Sequence, residues 1–317
     1  MAVEARAELP SAAVLERQRA LRRRSFKTAG GKLLLYAVLI LGAILSIAPF
    51  LWMVTSSFQP LGEIFSSPPH WIPRSATFDN YHDFFLDPKR RAEGVERWFF
   101  NSVIVAGGVT ALQLFFCSMA AYTFAKRRFP FRRFLFLLGL GTMMIPGQVL
   151  IIPQYIVLKN MPLAGGNDIL GQGGHGWLDS YWGLILPHSV SMFSIFLLMQ
   201  YMRSIPDELL DAARIDGAGE FRIYWQVVLP LTRPALAAVG IFTFTFFWDD
   251  FFWPLIIISN PDLYTLPLGL ALFVVKHRTV WDLLMAGSVV ATVPVIIMFL
   301  FFQRNFVRGI SVSGVKG

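Results

Sequence analysis

Six long apolar blocks dominate this chain and restrict what it can fold into. A helix that spans a membrane needs about 20 mostly apolar residues, and six stretches meet that requirement. They are residues 33–55, 100–124, 134–158, 181–202, 235–258 and 284–303. Only 15% of the 317 residues are charged, against about 25% in a typical soluble domain. The sequence therefore predicts an all-α membrane protein with six transmembrane helices.

The distribution of lysine and arginine predicts the orientation of these spans, because both residues are enriched in cytoplasmic loops. Basic residues concentrate in the N-terminal arm (1–32), in KRRFPFRR at 126–133, and in the C-terminal tail (304–317). With six spans these three segments lie on one side, so both termini are predicted to be cytoplasmic. The extracytoplasmic segment 56–99 is a partial exception, since it carries several basic residues.

This clustering also accounts for the net charge of +8 without a nucleic-acid partner. Positive charges at span ends fix topology and contact anionic headgroups, so membrane lipid is an expected partner and nucleic acid is not. The arm could form a short basic helix on the inner leaflet or a disordered tail, and the sequence leaves both open. Cys117 is the only cysteine, so no intrachain disulfide can form.

The sequence contains no recognisable set of catalytic residues. The phosphate-binding pattern G-x-x-x-x-G-K-[ST] and the HExxH and GxSxG motifs are absent. His175 stands alone in a glycine-rich insert (164–176), so we expect it to face solvent, and the glycines favour a flexible loop. The chain is therefore predicted not to be an enzyme and to hold no cofactor or metal. Any ATP must be bound by another chain.

One charged segment, DELLDAARIDGAGEFRIYWQVVLP at 207–230, separates the fourth and fifth apolar blocks. Ser204 is expected to cap a short helix that has Pro206 in its first turn, where a missing N–H costs nothing. Two acidic residues follow, near the positive end of the helix dipole. This helix is predicted to run to about Asp216.

The rest of the charged segment predicts a second short helix. Gly217 and Gly219 are expected to break the first helix, a second helix to cover 220–228, and Leu229-Pro230 to turn the chain back into the membrane. The small and apolar residues of such a protruding pair cannot all be buried against lipid. The pattern therefore predicts a docking element for another protein.

The spacing within this segment resembles a known motif. Asp-Ala-Ala at 211–213 is followed after three residues by Gly217 and, after nine more, by Val227-x-Leu229-Pro230. This resembles the EAA loop of ABC-importer permeases, Glu-Ala-Ala-x3-Gly-x9-Ile-x-Leu-Pro, with Asp in place of Glu and Val in place of Ile. The preceding Ile-Pro-Asp-Glu-Leu and the tail QRNFVRGISVSGVKG resemble the carbohydrate-importer branch, specifically the maltose-permease G-type subunit.

The resemblance implies a type I ABC-importer permease fold in the inner or plasma membrane of a prokaryote. It implies a first transmembrane helix at 33–55, a permease core at 100–303 and a coupling loop at 204–230. The implied partners are a second homologous permease subunit, two ATPase subunits and an extracytoplasmic substrate-binding protein that delivers a sugar or sugar-like solute. The residues implied to couple to the ATPase are Asp211, Ala212, Ala213, Gly217, Leu229 and Pro230.

The fifth apolar block contains carboxylates, which inside a membrane usually face the bundle interior or a watery cavity. Aromatic neighbours suit stacking on sugar rings, and glutamines near prolines in the third block are weaker candidates. The candidate residues for a solute pathway are Phe247, Trp248, Asp249, Asp250, Gln148 and Gln154. Related permeases have Trp-Asn at the position of Trp248-Asp249. There are alternative explanations for both sets. The acids could pair with residues of a partner permease or lie near the outer interface, and the glutamines could reflect helix kinking and packing.

Three other functions compete with a sugar importer. An ion-coupled secondary transporter could use Asp249 or Asp250, but it would leave the EAA spacing without a role. An intramembrane enzyme built on the paired carboxylates would need a further catalytic group, and the sequence offers none. An ABC permease for a non-carbohydrate solute differs only in what it carries, and the G-type tail favours a carbohydrate.

Overall fold

The computed structural model describes residues 12–68, 70–86, 94–275 and 278–311. Within these ranges the regular secondary structure is helical apart from one pair of two-residue strands, so the predicted all-α class is confirmed with that small addition. The first helices are α1 (Ala12–Ser56), α2 (Leu61–Ile64), α3 (Asp79–Phe85) and α4 (Val95–Lys126). They are followed by α5 (Arg132–Thr142), α6 (Gly147–Lys159), α7 (Tyr181–Ile185), a 3-10 turn (Leu186–His188) and α8 (Met192–Arg203).

The second half of the chain contains shorter elements. They are α9 (Asp207–Ile215), α10 (Glu220–Ile223), a π-helical segment (Tyr224–Val228), α11 (Leu229–Leu231), α12 (Arg233–Trp248) and α13 (Phe252–Ile257). A 3-10 turn (Pro261–Leu263), α14 (Leu266–Leu270), a second 3-10 turn (Ala271–Phe273) and α15 (Trp281–Ser311) complete the helices. Strands β1 (Val274–Val275) and β2 (Arg278–Thr279) pair antiparallel, with Val274 opposite Thr279.

Three helical segments are each long and apolar enough to cross a membrane. They are Gly31–Ser56, Val95–Lys126 and Trp281–Phe301. Three pairs of helices meet the same criterion only when the two members of each pair are joined, and each pair is bent by more than 40°. Among the described residues the count of spans therefore reaches six if every bent pair is one crossing.

The third and fourth apolar blocks, each predicted to form one span, are broken in the structure. Helices α5 and α6 meet at 100°, and the segment from α7 through its 3-10 turn meets α8 at 44°. The first break has a local cause: Pro146 precedes α6 and lacks an N–H, and a proline disfavours helical geometry at the residue before it. Neither block is one straight helix.

The fifth predicted span is also broken. Helix α12 ends at Trp248, and Asp249 to Phe251 separate it from α13. Helix α12 is instead joined at its start to the segment Glu220–Leu231, with a bend of 78°. The span predicted over 235–258 is therefore not one continuous helix, because the two acidic residues lie at a break between two helices.

Helix α4 is the centre of the bundle and packs against α8 and α12, while α15 packs against α12, α3 and α1. One apolar cluster surrounds the C-terminal end of α4 and includes Cys117, Ala121, Met199, Met202 and Val228. Two others lie toward its N-terminal half, around Trp98 and Trp248 and around Val105 and Trp253. The loop at 204–230 therefore belongs to one end of the bundle, and the loop at 160–180 to the other.

Helix α1 packs mainly against α15 and exposes its apolar side chains, such as Leu33, Ile40 and Leu45. A lipid environment would cover them, as expected of a spanning helix. Its backbone is helical from Ala12, so residues 12–32 of the N-terminal arm continue the first span. Residues 1–11 and 312–317, in the predicted arm and tail, lie outside the described part of the chain.

Candidate functional site: the 204–230 loop and a polar cavity

The first helix of the loop, α9, begins differently from the prediction. Its N-cap is Pro206, and no side chain caps it. The Ser204 hydroxyl donates to the Tyr201 carbonyl at 2.7 Å, so Ser204 satisfies the end of α8 and the predicted cap is wrong. Asp207 and Glu208 do lie in the first turn, where their charges favour the positive end of the helix.

The end of α9 is a complete Schellman motif. The N–H of Ala218 donates to the Ala213 carbonyl at 2.9 Å, and the N–H of Gly217 donates to the Arg214 carbonyl at 3.0 Å. Gly217 has φ +79°, a left-handed conformation that residues with a Cβ adopt at a cost. The predicted break at Gly217 is therefore confirmed. The helix ends there because Gly217 adopts the left-handed conformation of the Schellman motif.

The second half of the loop continues further than predicted. Helix α10 runs through a π-helical segment into α11, which holds Pro230 in its first turn. The backbone stays helical through Leu231, so Leu229-Pro230 does not turn the chain. The change of direction falls at Thr232, whose buried hydroxyl donates to the Val228 carbonyl at 2.7 Å.

One face of the loop is buried against the bundle. Leu210, Ile223 and Tyr224 are almost fully enclosed in the cluster that contains Cys117 and Met199. The Tyr224 hydroxyl also lies 2.7 Å from the hydroxyl of Ser118. Burial of these side chains stabilises the position of the loop, since each fully buried apolar side chain contributes about 1.5–3 kcal/mol.

Two ion pairs attach the loop to the C-terminal end of α4. The Lys126 Nζ lies 2.7 Å from a carboxylate oxygen of Asp207 and also donates to the Ile205 carbonyl. The hydrogen bond from Lys126, with its charge, lowers the pKa of Asp207. Glu220 accepts from the Tyr122 hydroxyl at 2.8 Å and from Arg127 Nη1 at 2.7 Å.

Glu220 also joins the two halves of the loop. Its carboxylate accepts from Arg214 Nε at 3.3 Å, and Arg214 Nη1 reaches Asp211 at 2.6 Å. Partial burial raises the pKa of Glu220, but the Tyr122 hydrogen bond and the charges of Arg127 and Arg214 outweigh it, so the pKa is lowered overall. The carboxylate is therefore charged at neutral pH and holds α9, α10 and α4 together.

The opposite face of the loop is open and apolar. Ile215 is 87% exposed and Phe221 63%, and the Phe221 and Trp225 rings stack with centroids 6.3 Å apart. Among the six predicted coupling residues, the exposed ones are Asp211, Ala212, Gly217 and Pro230, and the half-buried ones are Ala213 and Leu229. A Cβ placed on Gly217 would meet nothing within 4 Å. Another molecule can therefore approach the backbone there.

The residues predicted to line a solute pathway do not share one site in the structure. Trp248 is only 1% exposed and its Nε1 donates to the Ala291 carbonyl at 2.9 Å, so in this structure it is a core residue. Asp249 is exposed at the break after α12, while the half-buried Asp250 accepts from the backbone N–H groups of Phe252 and Trp253 at 3.1 and 3.4 Å. Asp250 thus initiates α13.

The two glutamines of the third block also lie apart. Gln148 is exposed at the start of α6. Gln154 is half-buried and lines an apolar cavity of about 330 Å³ together with Pro153, Trp177 and Pro187. No hydrogen bond or ion pair among the described residues joins either glutamine to Asp249 or Asp250. As pathway residues, both stay predictions.

A second cavity, which the sequence analysis missed, lies between α4, α8 and α12. Its volume is about 420 Å³, and its lining residues are Gln113, His188, Val190, Ser191, Phe193, Ser194, Phe242, Thr243, Phe246 and Phe247. Of the predicted residues only Phe247 belongs to it. The available signal was the set of polar residues inside apolar blocks, Gln113 in the second and Pro187-His188 in the fourth.

A bundle of broken apolar helices, with exposed apolar side chains on the loop at one end and an open cavity lined by polar and aromatic residues, is the architecture of a membrane protein. The sequence profile of the binding-protein-dependent transport system inner membrane components matches residues 113–312, more than half of the chain. The chain belongs to this family of ABC-importer permeases. It is a transport subunit located in the inner membrane.

Its relatives include named permeases. The chain is 36% identical over 277 residues (87% of this chain and 93% of the relative) to the arabinooligosaccharides transport system permease protein AraQ of Halalkalibacterium halodurans. It is 34% identical over 280 residues (87% and 86%) to the diacetylchitobiose uptake system permease protein NgcG of Streptomyces coelicolor. It is 31% identical over 279 residues (87% and 94%) to the sn-glycerol-3-phosphate transport system permease protein UgpE of Brucella abortus.

The fold is shared with a solved transporter. A chain from the crystal structure of a bacterial ABC transporter involved in the import of the acidic polysaccharide alginate matches with a TM-score of 0.74 at 20% identity, covering 95% of this chain and all of that one. A structure of the alginate transporter in complex with an alginate pentasaccharide-bound periplasmic protein matches with a TM-score of 0.60 at 15% identity, covering 89% and 96%. The sequence-based recognition of an ABC-importer permease is confirmed.

Proposed function

We propose that this chain forms half of the translocation pore of an ATP-driven importer for a sugar or sugar-like solute and receives the ATPase signal through the 204–230 loop. The observation that carries the proposal is the loop itself. It is fixed to α4 by the Lys126–Asp207 and Arg127–Glu220 ion pairs, yet it leaves Ile215 and Phe221 exposed. A rigidly attached apolar surface suits the transmission of a partner's movement.

The exposed positions of the motif suit contact with an ATPase subunit. Ala212 and Gly217 have little or no side chain, so a partner surface can approach the backbone. The ATPase must bind the inward-facing and outward-facing states of the permease with different affinity, since a ligand shifts a conformational equilibrium only through such a difference. Movement of α9 would then pass through Leu210 and Ile223 into the cluster around α4 and α8.

The solute class rests on the relatives. AraQ, NgcG and UgpE are named for arabinooligosaccharides, diacetylchitobiose and sn-glycerol-3-phosphate, and the solved transporter imports alginate. All four of these solutes carry more than one hydroxyl group. A second permease, two ATPase subunits and an extracytoplasmic binding protein complete the proposed assembly. An ion-coupled transporter would leave the ordered loop without a role.

The proposed topology places six spans in the membrane with both termini and the 204–230 loop in the cytoplasm, and 56–99 outside. Cysteine substitution tests it. Ile169→Cys, at an exposed position in the 160–180 loop, should react with an impermeant thiol reagent added to intact cells, whereas Gly219→Cys should react only after lysis. Native Cys117 is buried and gives little background. Labelling of the Gly219 site in intact cells would reverse the orientation.

Gly217→Asp tests the coupling proposal directly. The substitution adds a charge to the docking face and strain at φ +79°, while a Cβ there meets no atom of the chain itself. Burying an unpaired charge in an interface costs several kcal/mol. We expect uptake and solute-stimulated ATPase activity to be lost and ATPase co-purification to fall, with normal accumulation of the subunit.

Gly219→Asp is the matched control for this experiment. Gly219 precedes α10 in an extended conformation with free space around it, and aspartate is a favoured N-cap residue. The same charge two positions away should therefore leave folding intact and reduce uptake less. Normal uptake and full ATPase retention in Gly217→Asp would refute the docking role of the loop.

A further inference from the structure

We infer that the cavity between α4, α8 and α12 is a subsite that binds an uncharged sugar unit during transit, with His188 and the hydroxyls of Ser194 and Thr243 as its polar contacts. The inference rests on the proposed function and specifies its solute. The cavity of about 420 Å³ falls within the range of small-molecule sites. Gln113, one of its lining residues, lies near the middle of α4, so the cavity lies about halfway along that helix.

The backbone around the cavity supports a pathway through this position. The 3-10 turn at Leu186–His188 and the following residues interrupt the helices between α7 and α8, at a bend of 44°. Irregular backbone at membrane depth occurs where it is buried in protein or lines a water-filled cavity. Interrupted helices near the midplane are also where transporters place their binding sites.

Gln113 organises the polar wall of the cavity. Its Oε1 accepts from the Ser194 hydroxyl at 2.9 Å and from the Thr243 hydroxyl at 3.1 Å, and its Nε2 donates to the His188 carbonyl at 2.8 Å. A hydroxyl has one proton to donate and two lone pairs that accept. Because both protons point to Gln113, the oxygens of Ser194 and Thr243 keep lone pairs that can accept. Both side chains are buried in this structure, so solute hydroxyls reach them when the cavity opens during turnover.

His188 contributes a polar atom that the described part of the chain leaves unsatisfied. Its Nε2 is buried and has no hydrogen-bond partner there, although nearly all buried polar atoms in proteins have one. The imidazole is held by Phe247 and Trp253, with ring centroids 4.9 and 5.4 Å away. Because this nitrogen is enclosed in the present structure, a solute hydroxyl satisfies it only when the surrounding helices move apart during transport.

The rest of the lining fits the apolar faces of a sugar ring and disfavours an anion. Phe193, Phe242, Phe246 and Phe247 supply aromatic surface, and no lysine, arginine or carboxylate is among the described lining residues. A phosphate or carboxylate there would lose water without gaining a counter-charge. The site therefore favours a neutral saccharide over solutes such as sn-glycerol-3-phosphate or an acidic polysaccharide.

Thiol accessibility tests the subsite in membranes that hold the complete transporter. Ser194→Cys should react with a small cationic methanethiosulfonate reagent during ATP turnover. Arabinotriose, the neutral probe, should slow the reaction at least about tenfold, which corresponds to about 1.4 kcal/mol, whereas sn-glycerol-3-phosphate should not. Phe134→Cys, at an exposed apolar position on α5, is the lipid-facing control. An unreactive Ser194 site, or equal protection by the anionic probe, would overturn the inference.

Two further variants separate a contact with solute from a structural effect. His188→Leu should abolish protection by arabinotriose, and His188→Gln should restore part of it because the amide again offers polar atoms. Equal protection in both would overturn the role of His188. In a Gly217→Asp background the labelling should no longer depend on ATP. If that dependence persists while arabinotriose still protects, the coupling proposal fails and the subsite stands.

Discussion

Two loops at opposite ends of this bundle contain glycines with positive φ, yet the glycines serve different purposes. In the loop at 160–180, a Cβ on Gly165, Gly171 or Gly176 would lie closer than 3.0 Å to backbone oxygens of the same loop or of the end of α6. In the 204–230 loop, a Cβ on Gly217 would meet nothing within 4 Å. The glycines of the 160–180 loop allow its backbone to pack closely against itself and the end of α6. Gly217 has open space beside it, which another molecule can occupy.

The 160–180 loop is tightly organised by Asn167. Its Nδ2 donates to the carbonyls of Lys159 and Met161 at 2.8 and 3.0 Å, and its Oδ1 accepts from the Gly174 N–H at 2.7 Å. The expectation of a flexible insert therefore needs correction, because glycine here permits dense backbone packing. His175 is exposed, as expected, and its Nδ1 lies 3.2 Å from the Leu178 carbonyl.

Gly176→Ala should have the largest effect, because it attacks the self-packed loop. The new Cβ would overlap the carbonyl groups of Leu158 and Lys159 at φ +61°, and backbone atoms cannot move aside as a flexible side chain can. We expect a loss of more than about 4 kcal/mol, at the exceptional end for a single substitution. Accumulation of the subunit in membranes and its thermal unfolding measure this.

Gly173→Ala is the control for that substitution. Gly173 also has positive φ, at +100°, but the nearest atom to its Cβ would be 3.8 Å away. Only backbone strain remains, which costs about 1–3 kcal/mol. If both variants accumulate equally well, close packing is not the reason for glycine at 176, and the contrast with Gly217 disappears.

Ile215→Ser should have the next largest effect, on partner binding alone. Ile215 is 87% exposed, so its replacement should leave folding unchanged. If an ATPase buries it, the loss is about 1.5–3 kcal/mol, or about tenfold or more in ATPase retention. Leu163→Ser, at a similarly exposed leucine in the 160–180 loop, should leave retention unchanged. Equal retention in both variants would mean that the 204–230 loop does not contact the ATPase through this face.

The sequence was sufficient to predict the helix pair in the 204–230 loop, because its signals are local. Acidic residues in the first turn of α9 and Gly217 at its end act within a few residues of one another. The exact start of α9 was missed because Ser204 and Pro206 compete for the same boundary, and the hydroxyl of Ser204 bonds backward to Tyr201.

Tertiary contacts decided the features that could not be predicted. The cavity brings together Gln113, His188 and Thr243 from three segments far apart in the chain. Local sequence patterns do not predict contacts between such distant residues. Hydropathy also hides breaks inside apolar blocks: α12 stops at Asp249 although the residues on both sides are apolar. The burial of Trp248 depends on Phe99, Phe244 and Ala291, so its core position was not visible beside the two acids.

Glu220→Gln should have the smallest effect and sharpens the account of how the loop is held. The variant keeps a hydrogen-bond acceptor for Tyr122 but loses the charge that pairs with Arg127 and Arg214. These pairs are partly exposed, so we expect a loss of about 0.5–1 kcal/mol and a modest fall in uptake. Asp211→Asn, which weakens only the exposed pair with Arg214, is the control for thermal stability and should lower it less.

The pH dependence of that difference identifies the carboxylate as the cause. Because the pKa of Glu220 is lowered in the folded protein, its charge stabilises the wild type above the ordinary carboxyl range, and this contribution is lost as the pH falls through the lowered pKa. Thermal unfolding of the wild type and of Glu220→Gln should therefore differ at neutral pH and converge only once the pH has fallen below the lowered pKa of Glu220. A difference that persists unchanged in acid would mean that shape, and not charge, is what Glu220 supplies.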